Sequence, residues 1–164
     1  MSGVGRQSPG ASPLLPGRLS PWLPCDSHQQ GVPMTKLIHT MIRVRDLDRS
    51  VRFYREALEL AVRDHFPFDG FSLTYLANDQ SGFELELTHN QGQAEPYSHG
   101  NGYGHLAVTV ENIEAAHQRL TAQGLAPAPV KAMHHEGTLL ARLFFLTDPD
   151  GYQIEFIERA GRFA

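Results

Sequence analysis

The chain has 164 residues, 41% of them hydrophobic, a single cysteine and a formal net charge of −4, values that suit one sizeable soluble domain or two small ones sharing a core. The 14 basic residues are scattered, which excludes the positive stripe a nucleic-acid backbone needs. Cys25 has no partner for an internal disulfide, and no apolar run approaches the roughly 18 to 20 residues of a membrane span, so the expected setting is cytoplasmic, away from membranes.

Residues 1–33 hold six of the 11 prolines, one acidic residue and no periodic apolar pattern, a composition that cannot bury enough surface to fold. This Pro-rich extension is expected to be disordered. It is either a targeting segment or the product of a start site placed upstream of Met34. Residues 34–164 are expected to form the domain.

From Met34 the sequence repeats itself. IHTMIRVRDLDRSVRFYREALEL recurs as GHLAVTVENIEAAHQRLTAQGL, with His39 on His105, Val44 on Val110 and Leu47 on Ile113, each 66 residues apart. Each copy opens with a strand and continues as a helix with apolar residues at helical spacing, as in Val51, Tyr54 and Leu58. Asp48 and Asn112 are the expected N-caps, and Gly124 fits the stop of the second helix. Strand-like runs follow, FSLTYLA and FELELTH in the first copy, LLARLFFLTD and GYQIEFIE in the second, with NDQSG and DPDG as turns. Each half reads β-α-β-β with one further, poorly marked strand. The fold class is α+β, with module one over about 34–98 and module two over about 99–164, joined in a curved mixed sheet with helices on its convex side.

Alternation along the strands separates a core face from a polar one. In IHTMIRV, Ile38, Thr40, Ile42 and Val44 point one way, and His39, Met41 and Arg43 the other. In FELELTHN, Glu84, Glu86, Thr88 and Asn90 oppose Phe83, Leu85 and Leu87; in GYQIEFIE, Gln153, Glu155 and Ile157 oppose Tyr152, Ile154 and Phe156. A lone strand histidine is ordinarily structural, and a lone glutamate ordinarily solvated. Here each half supplies one of each, His39 and Glu86 separated by 47 residues, His105 and Glu155 by 50. Two imidazoles and two mid-strand carboxylates facing one cavity form a ligand set for a divalent first-row metal, Ni²⁺, Co²⁺, Zn²⁺, Mn²⁺ or Fe²⁺.

IHTMIRV, ELTHN, YGHLAV and DPDGYQIE, in this order, resemble the glyoxalase I (lactoylglutathione lyase) family of the vicinal oxygen chelate superfamily, over about Met34 to Glu158. The resemblance implies paired βαβββ modules and a homodimer with active sites at the interface. It implies a metal held by His39 and Glu86 of one subunit and His105 and Glu155 of the other. The reaction implied is isomerisation of the methylglyoxal–glutathione hemithioacetal to S-lactoylglutathione through a metal-bound enediolate, a detoxification of methylglyoxal. Glu155 matches the family's main base, and Glu86 its partner for the other diastereomer. Arg43 and Asn90 match positions that hold the γ-glutamyl end of the cosubstrate glutathione; a planar guanidinium suits that carboxylate. Lys131 lies where some relatives bind the glycyl carboxylate. The absence of long insertions favours Ni²⁺ or Co²⁺, with Zn²⁺ as the alternative.

Some positions depart from the family pattern. Gln91 replaces a common Trp, Asn101 replaces an Arg used on glutathione by some members, and the AMHHEGTLLAR segment is longer than in many short members. His134, His135 and Glu136 read as a solvated polar loop, and DPDG as a turn needing no ion. Two other readings keep the scaffold. One is a different metal-dependent enzyme, an epimerase or dioxygenase; extradiol-type dioxygenases use two histidines and one carboxylate, so a fourth ligand counts against them. The other is a metal-free ligand-binding or resistance protein, against which four intact ligand positions count.

Overall fold

Strand β1 (His39–Val44) shows the alternation its sequence carries, with Ile42 and Val44 buried and His39, Met41 and Arg43 exposed. It belongs to a computed structural model that describes residues 35–164; the reading of residues 1–33 lies outside these. Helix α1 (Leu47–Leu58) follows, then β2 (Ala61–Phe68), β3 (Phe71–Ala77) and β4 (Glu84–Asn90). The second half repeats the order as β5 (His105–Val110), α2 (Ile113–Ala122), β6 (Lys131–His135), β7 (Thr138–Thr147) and β8 (Gln153–Glu158), ending in a short 3₁₀ turn, Gly161–Phe163.

The N-cap of α1 is Asp46, not Asp48 as the sequence suggested. Asp46 has extended backbone and accepts from the Arg49 amide at 2.9 Å, while Asp48 lies inside the first turn, where its charge favours the helix dipole. Asn112 caps α2 in the same way, accepting from the Ala115 amide at 2.9 Å. Gly124 takes up φ +80° just beyond α2 and donates its amide to the Thr121 carbonyl. The poorly marked strand is β2 in one half and β6 in the other; every residue of each is exposed, so neither carries the periodic burial that announces a strand.

The strands form two four-stranded mixed sheets, ordered β1-β4-β3-β2 and β5-β8-β7-β6, so within one chain the expected curved sheet is divided between the modules. The N-terminal strand of each half runs parallel to the last strand of its half, and the other pairings are antiparallel. Both sheets turn their helix-side faces into one hydrophobic cluster. Val44, Leu76 and Leu87 of module one meet Ile113, Leu120, Phe144 and Phe156 of module two there, along with Phe53, Tyr54 and Ala57 of α1. Arg119 of α2 reinforces this union by donating to the Glu56 and Ala57 carbonyls at 2.8 and 3.0 Å, satisfying acceptors that the C-terminal end of α1 leaves free.

A buried polar contact also crosses the core. The Tyr54 hydroxyl donates to Asp148 Oδ2 at 2.8 Å, and Asp148 is 5% exposed. Burial raises the Asp148 pKa from its ordinary value, against hydrogen bonds from Tyr54 and two backbone amides that lower it. Tyr54→Phe is therefore expected to cost about 1.5–3 kcal/mol, the range for a hydrogen bond to a charged group, read by urea unfolding at neutral pH. Because the folded state raises this carboxyl's pKa, its contribution to stability is fully present below the unfolded value of 3.8 and lost as pH rises through the folded pKa. Unfolding curves of Asp148→Asn against pH are expected to gain on the parent over that rise.

Candidate metal and substrate site

On the face of each sheet opposite the helices, a histidine meets a glutamate. His39 Nε2 lies 3.2 Å from Glu86 Oε2, and His105 Nε2 lies 3.0 Å from Glu155 Oε2. The two pairs are built by one register. Glu86 stands opposite Met41 and Glu155 opposite Ala107, so in both sheets the histidine sits two residues ahead of the carboxylate's partner on the parallel neighbouring strand. Both glutamates are buried, at 7% and 8% exposure. No arginine or lysine pairs with either among the described residues. A carboxylate withdrawn from water in mid-strand calls for a positive partner. A neutral imidazole nitrogen and a carboxylate oxygen aimed at one spot are donors that fit a first-row divalent ion.

Among the described residues, no three His, Cys, Asp or Glu side chains come close enough together to hold an ion. His39 is thus brought to Glu86, and His105 to Glu155, but the four are not assembled within one chain. The reason lies in the fold: the helix-side faces share one core, so the faces bearing the pairs look away from it.

The two faces differ beyond their His–Glu pairs. In module one Glu86 accepts a hydrogen bond from Thr88 Oγ1 at 3.1 Å. Tyr75, opposite Glu86 on β3, meets the His39 ring edge-on at 5.7 Å, and hydrogen bonding to Glu86, then partial desolvation and nearby carboxylate charge, raises its hydroxyl pKa. Arg43 lies opposite Thr88, and its guanidinium has no ion-pair partner among the described residues. Asn90 shares that face, and its amide donates to the Tyr97 hydroxyl at 3.1 Å. In module two the matching positions are apolar: Ile157 replaces Thr88, and Phe145 replaces Tyr75, meeting His105 edge-on at 5.6 Å. Ile157 packs with Ala141, Leu143, Phe145 and Phe163 in a small separate cluster. Lys131 stands opposite Leu143, hence on the His105–Glu155 face and on a different sheet from Arg43 and Asn90. His134 and His135 end β6 and Glu136 opens the hairpin turn, all exposed.

Tyr75, Thr88, Tyr97 and Phe145 are contributors that the sequence reading left out. Alternation puts Thr88 on this face but gives it no role. Tyr75 was hidden because β3 is apolar on one face and carries buried Ser72 and Thr74 on the other, so its alternation does not distinguish them.

The fold agrees with comparisons to known proteins. The model of the Glyoxalase/Bleomycin resistance protein/Dioxygenase superfamily matches residues 36–156, and the chain belongs to that superfamily. It is 39% identical over 131 residues to a lactoylglutathione lyase of Haemophilus influenzae, a match covering 75% of this chain and 92% of that protein. Among solved structures, a trypanothione-dependent glyoxalase I of Leishmania major matches with a TM-score of 0.61 and 34% identity, over 76% of this chain and 87% of the other. Glyoxalase I of Zea mays matches with a TM-score of 0.66 and 26% identity, over 77% of this chain and 45% of the maize chain.

An ion that binds the folded protein alone stabilises it by mass action, about 2.7 kcal/mol at one hundred times its dissociation constant. Added Ni²⁺ is expected to raise the thermal midpoint of the parent protein and to leave His105→Ala and Glu155→Gln unmoved. Equal stabilisation of parent and both variants rejects these residues as ligands.

Proposed function

We propose that the chain is a metal-dependent lactoylglutathione lyase, isomerising the hemithioacetal of methylglyoxal and glutathione to S-lactoylglutathione. The observation that carries this is the pair of register-matched His–Glu couples on sheet faces turned away from the shared core; a lactoylglutathione lyase at 39% identity supports it. The active unit is a homodimer. His39 and Glu86 of one chain and His105 and Glu155 of the other hold one ion, Ni²⁺ or Co²⁺ in preference to Zn²⁺, as expected for a chain without long insertions. When bound, the ion supplies Lewis-acid stabilisation for the negative charge that builds as the substrate C–H bond breaks.

Glu155 removes the proton from the carbon bearing sulfur and returns it to the neighbouring carbonyl carbon. Its neighbours Phe145 and Ile157 offer it no hydrogen-bond donor and keep water from its flank. Glu86 of the other chain in the dimer faces the same space and serves the opposite diastereomer, with its own Thr88 orienting one of its oxygens. Arg43 grips the γ-glutamyl carboxylate through paired N–H donors, Asn90 binds beside it, and Lys131 takes the glycyl carboxylate from the other module. The reaction is a net isomerisation: one proton moves from the carbon bearing sulfur to the former carbonyl carbon and the hydroxyl proton moves from the first oxygen to the second, so no external oxidant or reductant enters.

With Ni²⁺ or Zn²⁺ and preformed hemithioacetal, the purified protein is expected to generate thioester absorbance. A folded dimer that forms none with any divalent ion overturns the reading. Running the assay with glutathione and with other thiols identifies the cosubstrate. The shared site has its own test. A chain carrying His39→Ala and Glu86→Gln, and one carrying His105→Ala and Glu155→Gln, are each expected to be inactive. Refolded together in equal amounts they should recover about a quarter of parental activity, since half of the two-fold dimers are mixed and each of these has one complete site. No recovery in mixtures shown to contain mixed dimers rejects a site shared between chains.

A further inference from the structure

Strand β1 is the edge of its sheet, and β4 takes only one of its sides. At its C-terminal end the other side is covered by the turn before β8. The Arg43 amide donates to the Tyr152 hydroxyl at 3.2 Å. The Arg45 amide donates to the two Asp150 oxygens at 3.3 and 3.4 Å, and Arg45 Nε donates to Asp150 Oδ1 at 3.2 Å. This turn is built in advance of the contact. Asp148 Oδ1 accepts the Asp150 and Tyr152 amides at 2.9 and 2.7 Å. Gly151 has φ +95°, a left-handed conformation that favours glycine, and the His99 ring lies 3.4 Å from where a Cβ would sit. His99 stacks on the Tyr152 ring at 4.1 Å, and Tyr103 meets it edge-on at 5.4 Å. The phenol is held by its ring and offers its oxygen to β1.

The repeat provides an internal control. The turn before β4 has a related frame, with Asn78 Oδ1 accepting the Gln80 amide at 3.0 Å. Counting back from each glutamate, however, Phe83 stands where Tyr152 does and has no hydroxyl. The end of β5, with Thr109 at the place of Arg43, has no such clasp among the described residues; an open cleft of about 810 Å³ lies between Asn78, Gln80 and Ser81 on one side and Thr109, Glu111 and Arg119 on the other. Among the described residues, the strand tied down in this way is β1, which carries Arg43 next to its last residue.

We propose that Tyr152 and Asp150 are positioning residues for Arg43: the turn of module two fixes the end of β1, and so the distance between the guanidinium that receives the substrate's terminal carboxylate and the His39–Glu86 pair. This rests on the thiol-adduct reading above. Tyr152 touches no substrate; it acts through the backbone of the residue that does.

Tyr152→Phe keeps the aromatic stack and removes only the hydroxyl. It is expected to raise KM for the hemithioacetal about 3- to 10-fold, the equivalent of one hydrogen bond, with kcat within about twofold of the parent and Ni²⁺ affinity unchanged. In an Arg43→Ala background the same change should raise KM by less than about twofold, because residues that act as one unit are not additive. Asp150→Asn, which keeps an oxygen for the Arg45 amide and loses the charge, should raise KM in the same direction. A parent that turns over the hemithioacetal while Tyr152→Phe leaves KM unchanged overturns the proposal alone. So does an undiminished effect in the Arg43→Ala background, or a fall in kcat and Ni²⁺ affinity together. A parent that forms no thioester overturns the substrate reading and this proposal with it.

Discussion

The constraint from which the rest of the structure follows is that two sheets share one hydrophobic core. Neither module has enough apolar surface to bury its sheet alone, and each helix-side face is completed by the other's, through Tyr54, Ile113, Leu120, Phe144 and Phe156. The opposite faces, with the His–Glu pairs, are thereby directed outwards on different sides of the core. Two donors per face are too few to complete the coordination of a first-row ion. The same packing leaves β1 and β5 as edge strands, open for further contact along much of their length.

Within that frame, polar groups are placed where they join the modules. Arg119 supplies donors to the end of α1, Asp148 accepts from Tyr54, Asp150 accepts from Arg45, and the Tyr152 hydroxyl accepts from the Arg43 amide. These contacts are directional, whereas the apolar cluster is not. The cluster holds the modules together, and the hydrogen bonds set the register between them.

Much of this was legible in the sequence because it depends on periodicity. Two-residue alternation placed His39, Glu86 and Glu155 on the faces opposite the buried Ile42, Leu87, Ile154 and Phe156, and the 66-residue repeat located His105 and both helices. Contacts between distant segments left no such trace. DPDG reads as a simple turn until Asp150 is seen beside Arg45, 105 residues earlier in the chain. The α1 cap shows the limit of local reading as well: Asp46 and Asp48 are equally good capping residues, and the choice is made by where the strand before them ends. β2 and β6 were hard to find because an outer strand exposed on both faces has no alternating burial to display.

The unequal surroundings of the two pairs, hydroxyls about Glu86 and hydrocarbon about Glu155, have a consequence for symmetry. A centre assembled from identical half-length chains would carry the same neighbours on both sides, and a lopsided ligand would fit it equally well in two opposite orientations. Fusing two copies into one chain lets each copy diverge while the fold keeps them at matched register. The covalent link between modules thus does more than hold them together: it allows a pseudosymmetric scaffold to have a left and a right, and so to admit a ligand one way round.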